Sequence, residues 1–151
     1  MSNDFSTPTL PPIGWVANLR EDDRELLASY GQFLALYPPN ELIFQGDEQH
    51  HLFLLISGKL EVRREGRDNP IVVGTITPGE CIGEVALFDP GPASATVVAL
   101  EFSQIWKIDQ VSLNLFLESN PVGGNHLMVG LATILSNRLR HLNAKMVELS
   151  N

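Results

Sequence analysis

The stretch Gly79-Glu80-Cys81-Ile82-Gly83-Glu84-Val85-Ala86-Leu87-Phe88, followed by Gly91-Pro92-Ala93-Ser94-Ala95-Thr96, decides the fold. Glycines open a short helical turn, and an acid stands at its start. A Pro/Gly corner then leads into small residues that end in a strand. Backbone N–H groups at a helix start offer donors and the positive end of the dipole to an anion. Gly83 leaves room for close backbone approach. The stretch reads as a phosphate cradle that contains no Lys or Arg of its own.

Outward from the cradle, short apolar runs alternate with Gly, Pro and Asn punctuation. Phe33 to Tyr37 ends at the turn Pro38-Pro39-Asn40, and Leu42-Ile43-Phe44 closes at Gln45-Gly46-Asp47. Leu52-Phe53-Leu54-Leu55-Ile56 and Leu60-Glu61-Val62 flank Ser57-Gly58-Lys59, which predicts a hairpin. Ile71-Val72-Val73, Ala95 to Ala99 and Gln104 to Ile108 complete the series. Roughly eight strands at a spacing of about 8–12 residues predict a sandwich or barrel, best matched by an eight-stranded double-stranded β-helix, or jelly roll. The fold class is mainly β, with a flanking N-terminal helix and a long C-terminal helix.

The N-terminal helix is expected over Asp22 to Ser29, capped by Asp22 with Glu25 three residues on, and burying Leu26 and Leu27. Residues 1–13 are rich in Ser, Thr and Pro and predict a disordered lead-in. Residues 14–151 form one domain, with a barrel over about 32–109 and C-terminal helices over about 111–149. Leu113, Phe116 and Leu117 predict a helical turn ending near Asn120-Pro121. From about Gly124 to His126 onward, Leu127, Leu131, Ile134 or Leu135, Leu139, Leu142, Met146 and Leu149 recur every three or four residues. That stripe can pack its first half on the barrel and its second on another subunit, so a homodimer through the C-terminal helix is expected.

Bulk composition narrows the function. The 151 residues carry 10 Lys+Arg against 18 Asp+Glu, a formal net charge of -8, which opposes attraction to nucleic acid or anionic lipid. Cys81 is the single cysteine, so no intrachain disulfide forms and a cytoplasmic setting is expected. No apolar run is long enough to span a bilayer, and no secretory signal pattern opens the chain.

Three segments, in order, resemble the cyclic-nucleotide-binding domain of protein kinase A regulatory subunits, cyclic-nucleotide-gated channels and the bacterial catabolite activator protein. Ile43-Phe44-Gln45-Gly46-Asp47 is similar to that family's glycine-aspartate turn, and Leu52 to Gly58 to its central hairpin. Ile82-Gly83-Glu84-Val85-Ala86-Leu87-Phe88 through Pro92-Ala93-Ser94-Ala95-Thr96-Val97 is similar to its phosphate-binding cassette. The resemblance covers roughly Leu19 to Leu142. It implies a ligand site at Ile82, Gly83, Glu84, Val85, Ala86, Ala93, Ser94 and Ala95. Glu84 would accept from a ribose 2′-hydroxyl, Ser94 would offer a hydroxyl near the phosphate, and Ala95 a backbone N–H. Ala93 stands where the family carries the arginine that pairs with the cyclic phosphate, and alanine offers neither charge nor a fork of donors. The expected function is a stand-alone cyclic-nucleotide-binding-like regulatory or sensor domain of weak nucleotide affinity, with ligand binding coupled to the position of the C-terminal helix. The alternative is a binding-deficient relative that serves dimerisation or protein interaction.

Other constellations carry less. Arg63, Arg64 and Arg67 fall in a hairpin and Lys107 on a late strand. His50 and His51 are adjacent, so on a strand they point to opposite faces and share a metal ion poorly. No catalytic or metal site and no cofactor is expected, cyclic AMP or cyclic GMP being the ligands implied. An acid such as Glu84 in a first helical turn is also favoured by the dipole alone. Catabolite-activator-type regulators continue into a helix-turn-helix for which residues up to Asn151 leave no room, so neither nucleic acid nor membrane is expected as partner. No enzymatic activity is expected either.

Overall fold

The computed structural model describes residues 8–83 and 91–150. Alternation along the central strands sets the layers. In β3 (His51–Ser57), Leu52 and Leu54 join one buried cluster while Phe53 and Leu55 join another. In β8 (Ser103–Asp109), Trp106 and Ile108 belong to the first cluster and Ile105 to the second. Successive side chains of a strand face opposite ways, so an unbroken apolar run marks a strand covered on both faces. One face meets a second sheet; the other meets helices.

The strands form two antiparallel four-stranded sheets, as the short-strand pattern predicts. One has the order β1 (Gln32–Leu36), β8, β3, β6 (Cys81–Ile82). The other runs β2 (Glu41–Ile43), β7 (Thr96–Ala99), β4 (Leu60–Glu65), β5 (Pro70–Ile76). Between them lie Leu36, Ile43, Phe53, Leu55, Leu60, Ile82, Val97, Ala99 and Ile105. The hairpin expected at Ser57-Gly58-Lys59 does not form. β3 pairs with β8 and β6, whereas β4 pairs with β5 and β7. The turn instead crosses from one sheet to the other, and the buried Ser103 hydroxyl accepts from Lys59 N at 3.1 Å to fix the corner. A sandwich corner and a hairpin share the same turn residues, which is why local sequence does not separate them.

Helices cover the outer face of the first sheet. α1 spans Glu21–Tyr30 and begins one residue before Asp22. Its N-cap is Arg20, without a side-chain cap bond, and Asp22 lies inside a first turn that also holds Glu21 and Asp23. Three acids facing the positive end of the dipole supply what a cap would. Leu27 is buried, as expected, but Leu26 is 40% exposed. Leu10, within the segment 1–13 expected to be disordered, is 4% exposed in the helix-side cluster with Trp15 and Trp106, while residues 1–7 lie outside the described residues. Trp106 donates from its indole to Ala28 O at 3.3 Å, tying β8 to α1.

After β8 the chain turns at once into α2 (Gln110–Ser119), where the Asp109 carboxylate accepts from Ser112 N at 2.7 Å as a true N-cap. α3 (Pro121–Ser150) follows. Its first half buries Leu127 and Leu131, and Gly130 packs so close to the 3-10 turn Gly14–Val16 that an added Cβ would lie 2.5 Å from Trp15 O. Beyond Arg138 the helix is exposed on every side. The stripe read in the sequence thus splits, with a packed part up to Ile134 and an open part from Leu139.

Candidate functional site

The cradle is held by the turn that precedes β3. Gly46 N donates to Ala93 O at 2.9 Å, Ala93 N to Asp47 O at 2.8 Å, and Gln49 N to Gly91 O at 3.3 Å. Glu48 and Pro92 form an isolated bridge between these bonds. The glycine-aspartate turn therefore serves as a backbone splint for the small-residue arm. Thr96, at the end of that arm, accepts through its hydroxyl from Gln45 N at 3.0 Å.

The other arm leaves β6 at Gly83, whose φ of 87° lies in the region that favours glycine. A Cβ there would stand 2.5 Å from His51 O, so the position excludes side chains on two counts. Cys81, on β6, is 3% exposed within the helix-side cluster.

The two arms bound one cavity of about 400 Å³, within the range of roughly 300–1,000 Å³ usual for small-molecule sites. Of the residues expected at the site, Ile82, Gly83, Ala93, Ser94 and Ala95 all line it. Glu84, Val85 and Ala86 lie outside the described residues. Ile43, Val62, Ile76 and Val97 give it an apolar floor. Glu80 also lines it, with Oε2 accepting from Thr77 N at 2.6 Å. Neither Arg63, Arg64, Arg67 nor Lys107 reaches it: Arg63 pairs with Glu61 at 2.5 Å on β4, and Lys107 lines a separate space.

The cation in this cavity comes from α3. Among the described lining residues Arg138 alone carries positive charge, and its guanidinium donates to Cys81 O at 2.6 Å. The sequence reading does not include Arg138 in the site. A signal for it does exist, because Leu127, Leu131, Ile134 and Arg138 follow one another at four, three and four residues on one helix face. Charged side chains are seldom buried without a partner, so a charge that continues a buried stripe points toward one.

These features match known proteins. A family model described as "Cyclic nucleotide-binding domain" matches residues 35–120. The chain belongs to this family. It is 31% identical over 131 residues to the Pycsar effector protein XpPycTIR of Xanthomonas perforans, covering 86% of this chain and 42% of that protein. It is likewise 31% identical over 136 residues to the cyclic AMP receptor protein of Thermus thermophilus, covering 87% of this chain and 60% of that one. The crystal structure of the Thermus thermophilus catabolite activator protein superposes with a TM-score of 0.77 at 26% identity, over 93% of this chain and 63% of that chain. The chain spans about half the length of the curated relatives it matches. Among the described residues no helix is long and apolar enough to cross a membrane.

A second, polar cavity of about 370 Å³ lies where β1, β3 and β8 meet α1 and α2. It holds His51, Lys107, Asp109 and Ser112. Burial, then the Lys107 ammonium and neighbouring His50, push the His51 imidazole below its ordinary 6.5, while Asp109 opposes them. Hydrogen bonding from Ser112 N, more than any other cause, draws the Asp109 carboxyl down. For His51 the unfolded chain takes up the proton first, so its contribution is full above pH 6.5 and is lost as pH falls from there to the lower folded value. Replacing His51 with Gln is expected to flatten the melting temperature between about pH 7 and pH 5 relative to the parent. Thermal melts across that window check this, and parallel curves would refute it. His50 contacts Glu48 at 3.3 Å instead, so the two histidines take separate surroundings.

Proposed function

We propose that the protein is a regulatory sensor module whose 400 Å³ cavity takes a cyclic nucleotide, cyclic AMP or cyclic GMP, with occupancy reported by the position of α3. One observation carries this reading: the cavity is bounded by the cassette on one side and by α3, through Arg138, on the other. A molecule seated there touches the cradle and the helix together. The cyclic phosphate would sit on the backbone of Gly83 and of Ser94 and Ala95, over an apolar floor suited to a base and sugar. Affinity is lower than a cassette arginine would give, since Ala93 supplies no charge-assisted bond.

Calorimetric titration of the protein with cyclic AMP and cyclic GMP tests this. Saturable one-site binding of either is expected, and absence of heat with both would remove the reading.

The open half of α3 supports the output. Leu139, Leu142, Met146 and Leu149 are between 57% and 88% exposed and follow at three, four and three residues, the spacing of a coiled-coil seam. We read this seam as the contact with a second copy of the chain. Leu142→Glu combined with Met146→Glu is expected to convert a dimer to a monomer in sedimentation velocity. An unchanged sedimentation coefficient would refute the seam. Should the titrations show no nucleotide binding while the dimer persists, a binding-deficient dimerisation or protein-interaction module becomes the better description.

A further inference from the structure

Near one end of the first sheet, strand pairing collects polar side chains from three neighbours. Gln32 on β1 lies opposite Lys107 on β8, and His51 on β3 lies opposite Asp109 on β8. Residues directly opposite one another share a face of a sheet, as do residues two apart on one strand. All four line the polar cavity of about 370 Å³. We infer that this cavity is a second ligand site, for a tetrahedral oxyanion such as sulfate or phosphate, held by Lys107 and by the protonated form of His51. It shares no lining residue with the cassette cavity, so its fate does not bear on the cyclic-nucleotide reading.

The first support is a half-buried cation without a partner. Lys107 is partly covered, yet among the described residues its ammonium makes no ion pair. A covered charge ordinarily finds an opposite one. Asp109, two residues on, is committed elsewhere: its carboxylate accepts from Ser112 N at 2.7 Å and from the Ser112 side chain. The second support is charge balance. The charged and titratable groups facing His51 are Lys107 and Asp109 from β8 and His50 from its own strand, while the α1 end adds Tyr30 to the cavity. With His51 neutral, Lys107 and Asp109 cancel. A proton on His51 leaves one net positive charge for an anion. Burial first, and then Lys107, hold His51 below its ordinary 6.5, and an anion between the two cations offsets their repulsion. Anion and proton therefore bind together. The donors are the Lys107 ammonium, the His51 ring and the Gln32 amide, one from each of three strands. Diverging oxygens meet such a set better than a planar carboxylate does.

The test is an NMR titration of the full chain with sodium sulfate, whose charge is constant near neutral pH, against sodium chloride at equal ionic strength. Saturating amide shifts at His51, Lys107 and Asp109 are expected at about pH 5.5, with affinity at least about fivefold weaker at about pH 7.5. Sulfate should also raise the His51 pKa relative to chloride. Lys107→Gln should abolish saturation, Lys107→Arg should keep it, and His51→Gln should remove the pH dependence. Shifts no greater than those with chloride, or spread over other basic residues, would mean an adventitious ion only and overturn the inference. Saturation that survives Lys107→Gln overturns it too, as does a parent affinity that ignores pH. Acetate bound as tightly as sulfate overturns the tetrahedral assignment. Should Lys107→Gln fail to fold, the parent decides: a His51 pKa that sulfate leaves unchanged refutes the site.

Discussion

Ala93→Arg is expected to tighten cyclic AMP binding by about ten- to a hundredfold, since a hydrogen bond between charged groups contributes roughly 1.5–3 kcal/mol and each 1.4 kcal/mol is tenfold. The backbone is ready for it. Ala93 is clamped on both sides, its N–H by Asp47 O and its C=O by Gly46 N, so the new side chain starts from a fixed point on the cavity wall. The gain should shrink as salt rises, because the contribution is electrostatic. The cost is local, since the Ala93 methyl packs against the core between the sheets and a long side chain must leave that contact. Titrations at low and high ionic strength check both statements. Unchanged affinity would mean that the two arms of the cassette do not converge on a phosphate.

Gly83→Val is expected to have the largest effect on the fold near the site. Its φ of 87° is unfavourable for a side chain, and a Cβ would lie 2.5 Å from His51 O, a backbone atom at the start of β3. Backbone strain of this kind costs on the order of 1–3 kcal/mol before any clash, and a β-branched residue suffers most. For a domain of this size that corresponds to a fall in melting temperature of at least about 3–10 °C. The clash is with backbone rather than a flexible side chain, so relief requires moving β3 or the cassette arm. Loss of ligand binding should accompany the loss of stability. Differential scanning calorimetry with parallel titration checks it, and a variant that melts within about a degree of the parent and binds as well would contradict the account of the arm.

The layers and the cradle are legible in the sequence for a physical reason. Strands covered on both faces produce unbroken runs such as Leu52 to Ile56, and the turns between them need Gly, Pro or Asn whatever the topology. The pairing of those strands is not legible. Ser57-Gly58-Lys59 reads as a hairpin because a corner between sheets uses the same residues, and only the long-range register of β3 with β8 distinguishes them. Asp22 reads as a cap, yet lies in the first turn, because three successive acids leave the helix start undetermined within a residue. Leu10 is lost in a polar lead-in because one apolar residue makes no pattern, although the fold buries it.

At the site, Ile82, Gly83 and Ala93 to Ala95 are legible because their conformational demands are local. Arg138 is missed because the buried stripe through Leu127, Leu131 and Ile134 marks the helix face it belongs to but not what that face meets, which depends on where a helix far along the chain is placed. Arg63, Arg64, Arg67 and Lys107 are nearer to the cassette in sequence and are the cations that proximity suggests. The fold brings none of them to the cavity and brings a residue of α3 instead.

The most direct measurement is a backbone amide NMR titration of the protein with cyclic AMP. The account predicts saturating shift changes centred on Gly83, Ser94 and Ala95, accompanied by changes in α3 around Arg138. Changes confined to the polar cavity of His51 and Lys107, or none at saturating nucleotide, would contradict it.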